Sequence, residues 1–167
     1  MAYKIIQRAS ALFVTCVNYL QSPLLLAIRV YFFWQLYLTG KGKLENIDKV
    51  TQFFTDLGVP FPGFNARFIG ALECYGSLFL IAGLFSRPLA LMVFISMTVA
   101  YLTGDMEAVS SIISDPDKFI KADPFVYWSS ALIILAFGPG LFSLDALVKY
   151  VLRKRGLLSS DDPRDLR

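Results

Sequence analysis

The most unusual chemical feature of this sequence is a glutamate inside a long apolar run. Residues 66–85 read ARFIGALECYGSLFLIAGLF and are long enough to cross a bilayer as a helix, which takes about 20 residues. An ionisable side chain at that depth costs on the order of 3 kcal/mol to insert, so it usually faces the protein interior and pairs with another group. Glu73 is therefore the candidate catalytic residue of this chain, suited to binding a ligand or carrying a proton.

The residues around Glu73 indicate how another helix could reach it. Gly70, Glu73 and Ser77 share one helical face at spacings of three and four, and small residues let a second helix approach closely. Two roles stay open, a ligand or proton site and a structural ion pair that joins two helices, because both kinds of site perturb ionisation. Cys74 is most simply a small core residue, with a redox thiol beside Glu73 as the alternative.

Composition identifies the class of protein. The 167 residues are 56% apolar and 17% charged, which is too apolar for a soluble domain and predicts an integral membrane protein with lipid as its surroundings. The net charge of +3 comes mainly from tails and loops. It suits an anionic membrane surface and predicts no nucleic-acid partner, because no basic helix carries interleaved aromatic residues.

The absence of histidine removes several chemistries at once. Histidine-ligated haem, histidine metal sites and Ser-His-Asp catalysis are excluded, and the two cysteines form no Cys-x-x-Cys pair. We expect no metal site and no covalently bound cofactor. Any electron-carrying group must then belong to a partner.

Hydrophobic periodicity predicts an all-α protein in which the membrane spans form a four-helix bundle. Residues 1–22 are expected to form an N-terminal amphipathic interfacial helix that ends at Ser22 and Pro23, where a cap and a first-turn proline begin a new helix. A second, short amphipathic helix is expected at residues 44–57, between spans 1 and 2. The membrane domain covers residues 23–147, and residues 148–167 form a basic and then polar tail. The predicted spans are residues 24–40, 66–85, 88–104 and 124–142.

Several further side chains are candidates for the same site. Arg29 lies early in span 1 and could pair with Glu73 if their helices run antiparallel. Tyr101 and Trp128 could complete a pocket in which a quinone binds, with Glu73 hydrogen-bonded to its carbonyl oxygen or carrying its proton. The residues expected to play structural or secondary roles are Lys43, Arg67, Arg87, Asp105 and Asp145.

An ordered series of short motifs resembles the DoxX family over residues 24–147. The series consists of Arg29, the Gly-Lys-Gly-Lys segment at 40–43, the Gly-x-Pro turn at 58–60, Glu73, the Gly-Leu-Phe-x-Arg connection at 83–87 and the Gly-Pro-Gly-x-Phe-Ser-Leu-Asp segment at 138–145. The resemblance implies a four-helix bacterial or archaeal membrane protein associated with thiosulfate:quinone oxidoreductases or with sulfur and oxidative-stress complexes. The chain departs from the family by carrying Leu141 where a basic residue is frequent and by lacking a histidine between spans 3 and 4.

Orientation rests on basic residues near the spans. The cluster from Lys149 to Arg155 follows span 4 directly and predicts that both termini are cytoplasmic.

Three functions follow from these observations. The first is a quinone-linked subunit of a redox complex, which needs a partner for electron transfer. The second is a non-catalytic accessory or scaffolding subunit, and the weakest is a transporter of a small solute or lipid.

Overall fold

The protein is entirely α-helical over the residues that the structure describes. The computed structural model describes the backbone of residues 2–157 and the side chains of residues 19–157, and no strand occurs there. The predicted apolar face of the N-terminal segment and the polar end of the tail lie outside the described residues. The helices are α1 Ala2–Glu45, α2 Ile47–Asp56, α3 Pro62–Ala71, α4 Ser77–Ala82, α5 Ser86–Gly104, α6 Met106–Ser110, α7 Pro116–Lys121, α8 Pro124–Phe137 and α9 Leu144–Lys154.

The first helix continues through the proline that was expected to start a new one. α1 runs unbroken from Ala2 to Glu45 with Pro23 inside it, so the predicted break after residue 22 is wrong. Ser22 does not act as a helix cap. Its hydroxyl oxygen accepts a hydrogen bond from the Leu141 backbone N–H at 3.2 Å, and this tertiary contact replaces the expected local one. A proline inside a helix removes one backbone hydrogen bond, a loss that tertiary packing can offset.

The helical segment that carries Glu73 changes its winding at that residue. α3 and α4 are joined by a π-helical turn, Leu72–Gly76, so residues 62–82 form one continuous helical rod. π-turns are rare and frequently mark functional sites. The rod ends where Gly83 adopts a left-handed conformation with φ of 73°, which glycine adopts without strain.

The remaining helices differ from the predicted spans mainly at their ends. α2 confirms a short helix between the first two long segments, and it packs against α3. α8 ends at Phe137 rather than residue 142, because Gly138 is left-handed and Pro139 follows it. By length and composition, α5 is the one helix of the described residues that could cross a membrane, and α8 is apolar but shorter. The four-span arrangement therefore stays a prediction.

The core forms where α1, the α3–α4 rod, α5 and α8 meet. α1 contacts every part of the rod, and α5 packs along α8. Burying such aliphatic side chains contributes about 25 cal/mol per Å² of apolar surface. The buried members of this cluster are Phe33, Leu36, Leu72, Leu80, Ala90, Val93, Met97, Ala131 and Ile134. The same packing encloses the polar groups described below.

An exposed ion pair joins the two short helices between α5 and α8, and it should make a small, pH-dependent contribution to stability. Lys118 donates to a carboxylate oxygen of Glu107 at 2.8 Å, which lowers the pKa of Glu107 and raises that of Lys118. A lowered carboxyl pKa stabilises the fold above the unfolded-state value of about 4.3, and this effect disappears as pH falls through the folded-state value. Wild type should therefore melt slightly above Lys118→Ala at pH 7 and low salt, and equally at pH 3. A difference that persists at pH 3 would contradict this assignment.

Candidate functional site

The centre of the candidate site is an ion pair between α1 and the π-turn. The ammonium nitrogen of Lys43 donates to Oε1 of Glu73 at 2.6 Å. Glu73 is only 2% exposed, whereas the Lys43 side chain is 29% exposed. The two residues, called here the buried pair, thus connect a carboxylate in the interior to an ammonium group that reaches the surface.

Glycine allows α1 to approach the π-turn closely enough for this pair to form. A Cβ built on Gly40 would lie 2.7 Å from Cβ of Glu73 and 2.6 Å from its carbonyl carbon, closer than real Cβ atoms approach their neighbours. Gly70 meets Leu44 in a similar way, at 2.8 Å from a side-chain carbon. These contacts support the expectation that small residues would let a second helix reach Glu73.

One oxygen of the buried carboxylate has no partner among the residues that the structure describes. Oε2 of Glu73 and the hydroxyl of Ser77 are both buried, and neither forms a hydrogen bond with any residue that the structure describes. Both residues lie on the same side of the rod, four positions apart, and Cys74 beside them is buried with a free thiol. Buried polar atoms almost always have a partner, so each exception needs an explanation. A water molecule or a polar ligand group can supply the missing partner of each.

Arg29 does not pair with Glu73, and this prediction is wrong. Its guanidinium group is 1% exposed and donates to the backbone carbonyls of Pro139 at 2.6 Å, Phe142 at 2.7 Å and Ile81 at 3.3 Å. We call this arrangement the Arg29 clasp. Arg29 and Lys43 lie fourteen positions apart in α1, which is about 21 Å along the helix axis. The clasp and the buried pair therefore lie at different levels along α1.

Asp145 extends the clasp by capping α5. Its carboxylate accepts hydrogen bonds from the backbone N–H groups of Phe85 and Ser86, each at 3.0 Å, and its own N–H donates to the Gly83 carbonyl at 2.9 Å. A carboxylate that accepts helix N-terminal N–H groups satisfies donors that have no partner within the helix. Three of the motifs in the sequence, Arg29, residues 83–87 and residues 138–145, therefore meet in one place.

Replacing Asp145 by asparagine should destabilise the fold by about 1.5 kcal/mol, the lower end of the range for hydrogen bonds to charged groups. The asparagine oxygen can accept one N–H group, but its amide nitrogen cannot accept the other. Asp123→Asn is the matched control, because Asp123 precedes α8 without a side-chain cap bond and should change stability by less than about 0.5 kcal/mol. Equal thermal melts for the two variants in detergent would show that the Asp145 cap contributes nothing.

The two aromatic residues predicted for a quinone pocket hydrogen-bond elsewhere. The Tyr101 hydroxyl donates to the Phe119 carbonyl at 2.8 Å, and the Trp128 indole donates to the Thr98 hydroxyl at 3.0 Å. Trp128 also lies against Phe94, with ring centroids 5.1 Å apart. Both residues thus hold the α5–α8 side of the molecule together, and neither hydrogen-bonds to Glu73.

The residues expected to play secondary roles are spread over the molecule. Arg67 donates to the Gly63 carbonyl at 3.4 Å within α3. Arg87 lies beside the Gly138 turn, and Asp105 precedes α6, where its carbonyl accepts the N–H of Ala108 at 2.9 Å. Lys43 is the member of this group that reaches Glu73. This contact arises because α1 continues past residue 40, where the sequence predicts that the first span ends.

Two surface cavities are lined by other residues. An apolar one of about 370 Å³ lies between α4 and the start of α9, and a polar one of about 340 Å³ lies among α6, α7 and the end of α5. Neither is lined by Glu73. Oε2 of Glu73 is itself buried, so a ligand that reaches it must pass between helices.

Comparison with known proteins assigns the chain to a family. A family model described as DoxX matches residues 24–106, a range that includes Arg29, Lys43 and Glu73 but ends before Trp128 and Asp145. The chain is 30% identical to the inner membrane protein YphA of Escherichia coli (strain K12) over 131 residues, which cover 73% of this chain and 88% of that protein. No solved structure gives a significant match. The chain belongs to the DoxX family.

Proposed function

We propose that this protein is a four-helix inner-membrane subunit of a redox complex, in which Glu73 holds and transfers a proton for a quinone. Family membership and the inner-membrane relative support the membrane location. The rod of residues 62–82 is about 31 Å long, matching the hydrocarbon thickness of a bilayer. The proposal places both termini in the cytoplasm, on the side where the basic residues of α9 cluster.

The Arg29 clasp supports a membrane location for α8, the shortest of the four helical segments that are proposed to span the membrane. α8 has 14 residues and spans only about 21 Å before its break at Gly138. Irregular backbone at membrane depth is tolerated where protein groups satisfy it. The buried guanidinium donates to two carbonyls of the segment that follows α8, those of Pro139 and Phe142. α8 and this segment can thus complete a span together.

The observation that carries the proposal is the asymmetry of the Glu73 carboxylate. One oxygen accepts from Lys43, and the other is buried without a partner among the described residues. Such a group can hold a proton on its open oxygen or hydrogen-bond to a ligand oxygen, which are the tasks of a general acid or base. Lys43 is partly exposed and gives the carboxylate a polar connection to the surface.

A bound quinone would supply two-electron chemistry, taking up two protons as it is reduced. A partner subunit must deliver the electrons, since the sequence has no histidine and no cysteine pair to hold a redox centre. Glu73 would pass the two protons one after the other, regaining a proton from water through the Lys43 side of the site after each transfer. Ser77 offers a second buried hydroxyl on the same face for a ligand oxygen.

A second candidate, an accessory subunit, is favoured by the packing around the buried pair. The contact of Gly40 with the π-turn and the 2.6 Å ion pair join α1 to the rod, as a purely structural pair would. In that case the chain docks other subunits, and Glu73 serves assembly alone.

Purification from native membranes distinguishes the two candidates. The chain is solubilised gently through a C-terminal tag, copurifying proteins are identified by mass spectrometry, and bound quinone is extracted and quantified. Wild type and Glu107→Gln, an exposed carboxylate with a lysine partner, should retain partners and quinone. Glu73→Gln should retain the partners but lose most of the quinone. Partners without quinone in wild type would favour the accessory role, and quinone retained by Glu73→Gln would contradict the proposed site.

A further inference from the structure

We propose that α9 lies in the headgroup layer of the adjoining membrane leaflet and binds anionic phospholipid there. This inference rests on the membrane location proposed above, but it does not depend on a redox role. It concerns a surface at the Arg29 end of the molecule.

The first observation is an uncovered apolar stripe along α9. Leu144, Leu147, Val148 and Val151 follow the spacing of one helical face, and each is between 40% and 55% exposed. Lys149 and Arg153 occupy the opposite side of the helix. A helix with one apolar face, one charged face and low overall hydrophobicity is typical of those that lie in a membrane interface.

The second observation is the charge of the same helix and of the residues after it. Residues 144–157 contain four basic side chains and one acidic one, Asp145, whose carboxylate is already bonded to the α4–α5 connection. Lys154 and Arg155 at the end of α9 are exposed. Each basic residue near an anionic leaflet favours binding by about fivefold. Charge complementarity thus selects anionic lipid over zwitterionic lipid.

The third observation is that the apolar stripe continues onto the bundle. Asp145 fixes the start of α9 against the α4–α5 connection through its bonds to Phe85 and Ser86. Leu144 also lines the apolar cavity of about 370 Å³, together with Tyr75 and Phe79. That cavity can accept part of an acyl chain while the basic end of α9 meets the headgroup. A phospholipid carries both groups in one molecule.

The test measures lipid retention by the full chain in mild detergent. The protein is mixed with phosphatidylglycerol or phosphatidylcholine of identical acyl chains, and retained lipid is counted by native mass spectrometry. Wild type should retain at least about tenfold more phosphatidylglycerol than phosphatidylcholine. Lys154→Glu combined with Arg155→Glu should lower phosphatidylglycerol retention by about tenfold or more, because each reversal removes an attraction and adds a repulsion. The matched double reversal of Lys41 and Lys49, exposed residues of α1 and α2, should leave it unchanged.

Leu147→Ser combined with Val148→Ser tests the apolar stripe separately and should lower the retention of both lipids. Equal retention of the two lipids by wild type, or equal losses in both charge-reversal variants, would overturn the proposal. The surface would then be left to another occupant, such as an acidic protein. Membrane fractionation of the cells that produce the protein distinguishes the two ways in which the proposal can fail. A chain absent from the membrane fraction contradicts the membrane location. A membrane-bound chain without lipid preference contradicts only the proposed role of α9.

Discussion

Lys43→Met is expected to destabilise the protein by about 3 kcal/mol, which is the lower end of the range for breaking a buried ion pair. The substitution removes the partner of a carboxylate that is 2% exposed, and the structure offers no other donor among the described residues. Thermal or denaturant unfolding in detergent measures the effect. Lys41→Met is the control, because Lys41 faces Glu45 at 3.8 Å in an exposed pair and should lose less than about 1 kcal/mol.

The reciprocal change should cost less, and this asymmetry is specific to the geometry. Glu73→Gln leaves a lysine that is 29% exposed and can turn toward water, so its loss of stability should be smaller than that of Lys43→Met. Combining the two substitutions should recover part of the loss, because no buried charge is then left unpaired. If Lys43→Met proves no worse than Lys41→Met, the two side chains do not form the pair described here.

Gly40→Ala is the second large expected effect. The new methyl group would meet the backbone and Cβ of Glu73 at less than 3 Å, which forces α1 away from the π-turn and should cost about 1 to 3 kcal/mol. Unfolding in detergent should show this loss together with weaker quinone retention, since the buried pair separates as the helices move apart.

A glycine two residues away provides a control of opposite sign. A Cβ on Gly42 would meet nothing within 4 Å, and its position lies within α1. Gly42→Ala should therefore stabilise the protein by about 0.5 to 1 kcal/mol, because alanine loses less backbone entropy in a helix. If both alanine variants shift stability in the same direction, the close approach at Gly40 is not what the structure indicates.

The sequence predicted the helices well and their connections less well. Apolar runs and a helical period locate α2, α5, α8 and the rod of residues 62–82, because each must bury or shield one face. Ser22 and Pro23 resemble a helix start, yet α1 continues through both, and the Ser22 hydroxyl accepts a hydrogen bond from Leu141, a residue distant in the chain. No local pattern contains that contact.

The sequence pointed to Glu73 as the centre of the candidate site, but not to Lys43 as its partner. Glu73 is unusual enough in its apolar run to be found from the sequence alone. Its pairing with Arg29 was wrong because the first helix was ended at residue 40, whereas α1 continues five residues further to Glu45, about 7.5 Å. That extension places Lys43 on a helix facing Glu73. The signal available in the sequence was the spacing of Gly40 and Lys43 on one helical face, a small residue next to a long cation.

The quinone-dependent turnover of the purified complex measures whether Glu73 transfers protons. Complexes carrying wild type, Glu73→Gln or Glu107→Gln are compared at equal subunit content, with the electron donor of the partner subunit in excess. Loss of a general acid or base typically costs about 10² to 10⁴ in rate, so Glu73→Gln should lower turnover at least about 100-fold, while Glu107→Gln should match wild type. Unchanged turnover in Glu73→Gln would contradict a proton-transfer role and leave the buried pair as a contact that joins α1 to the rod.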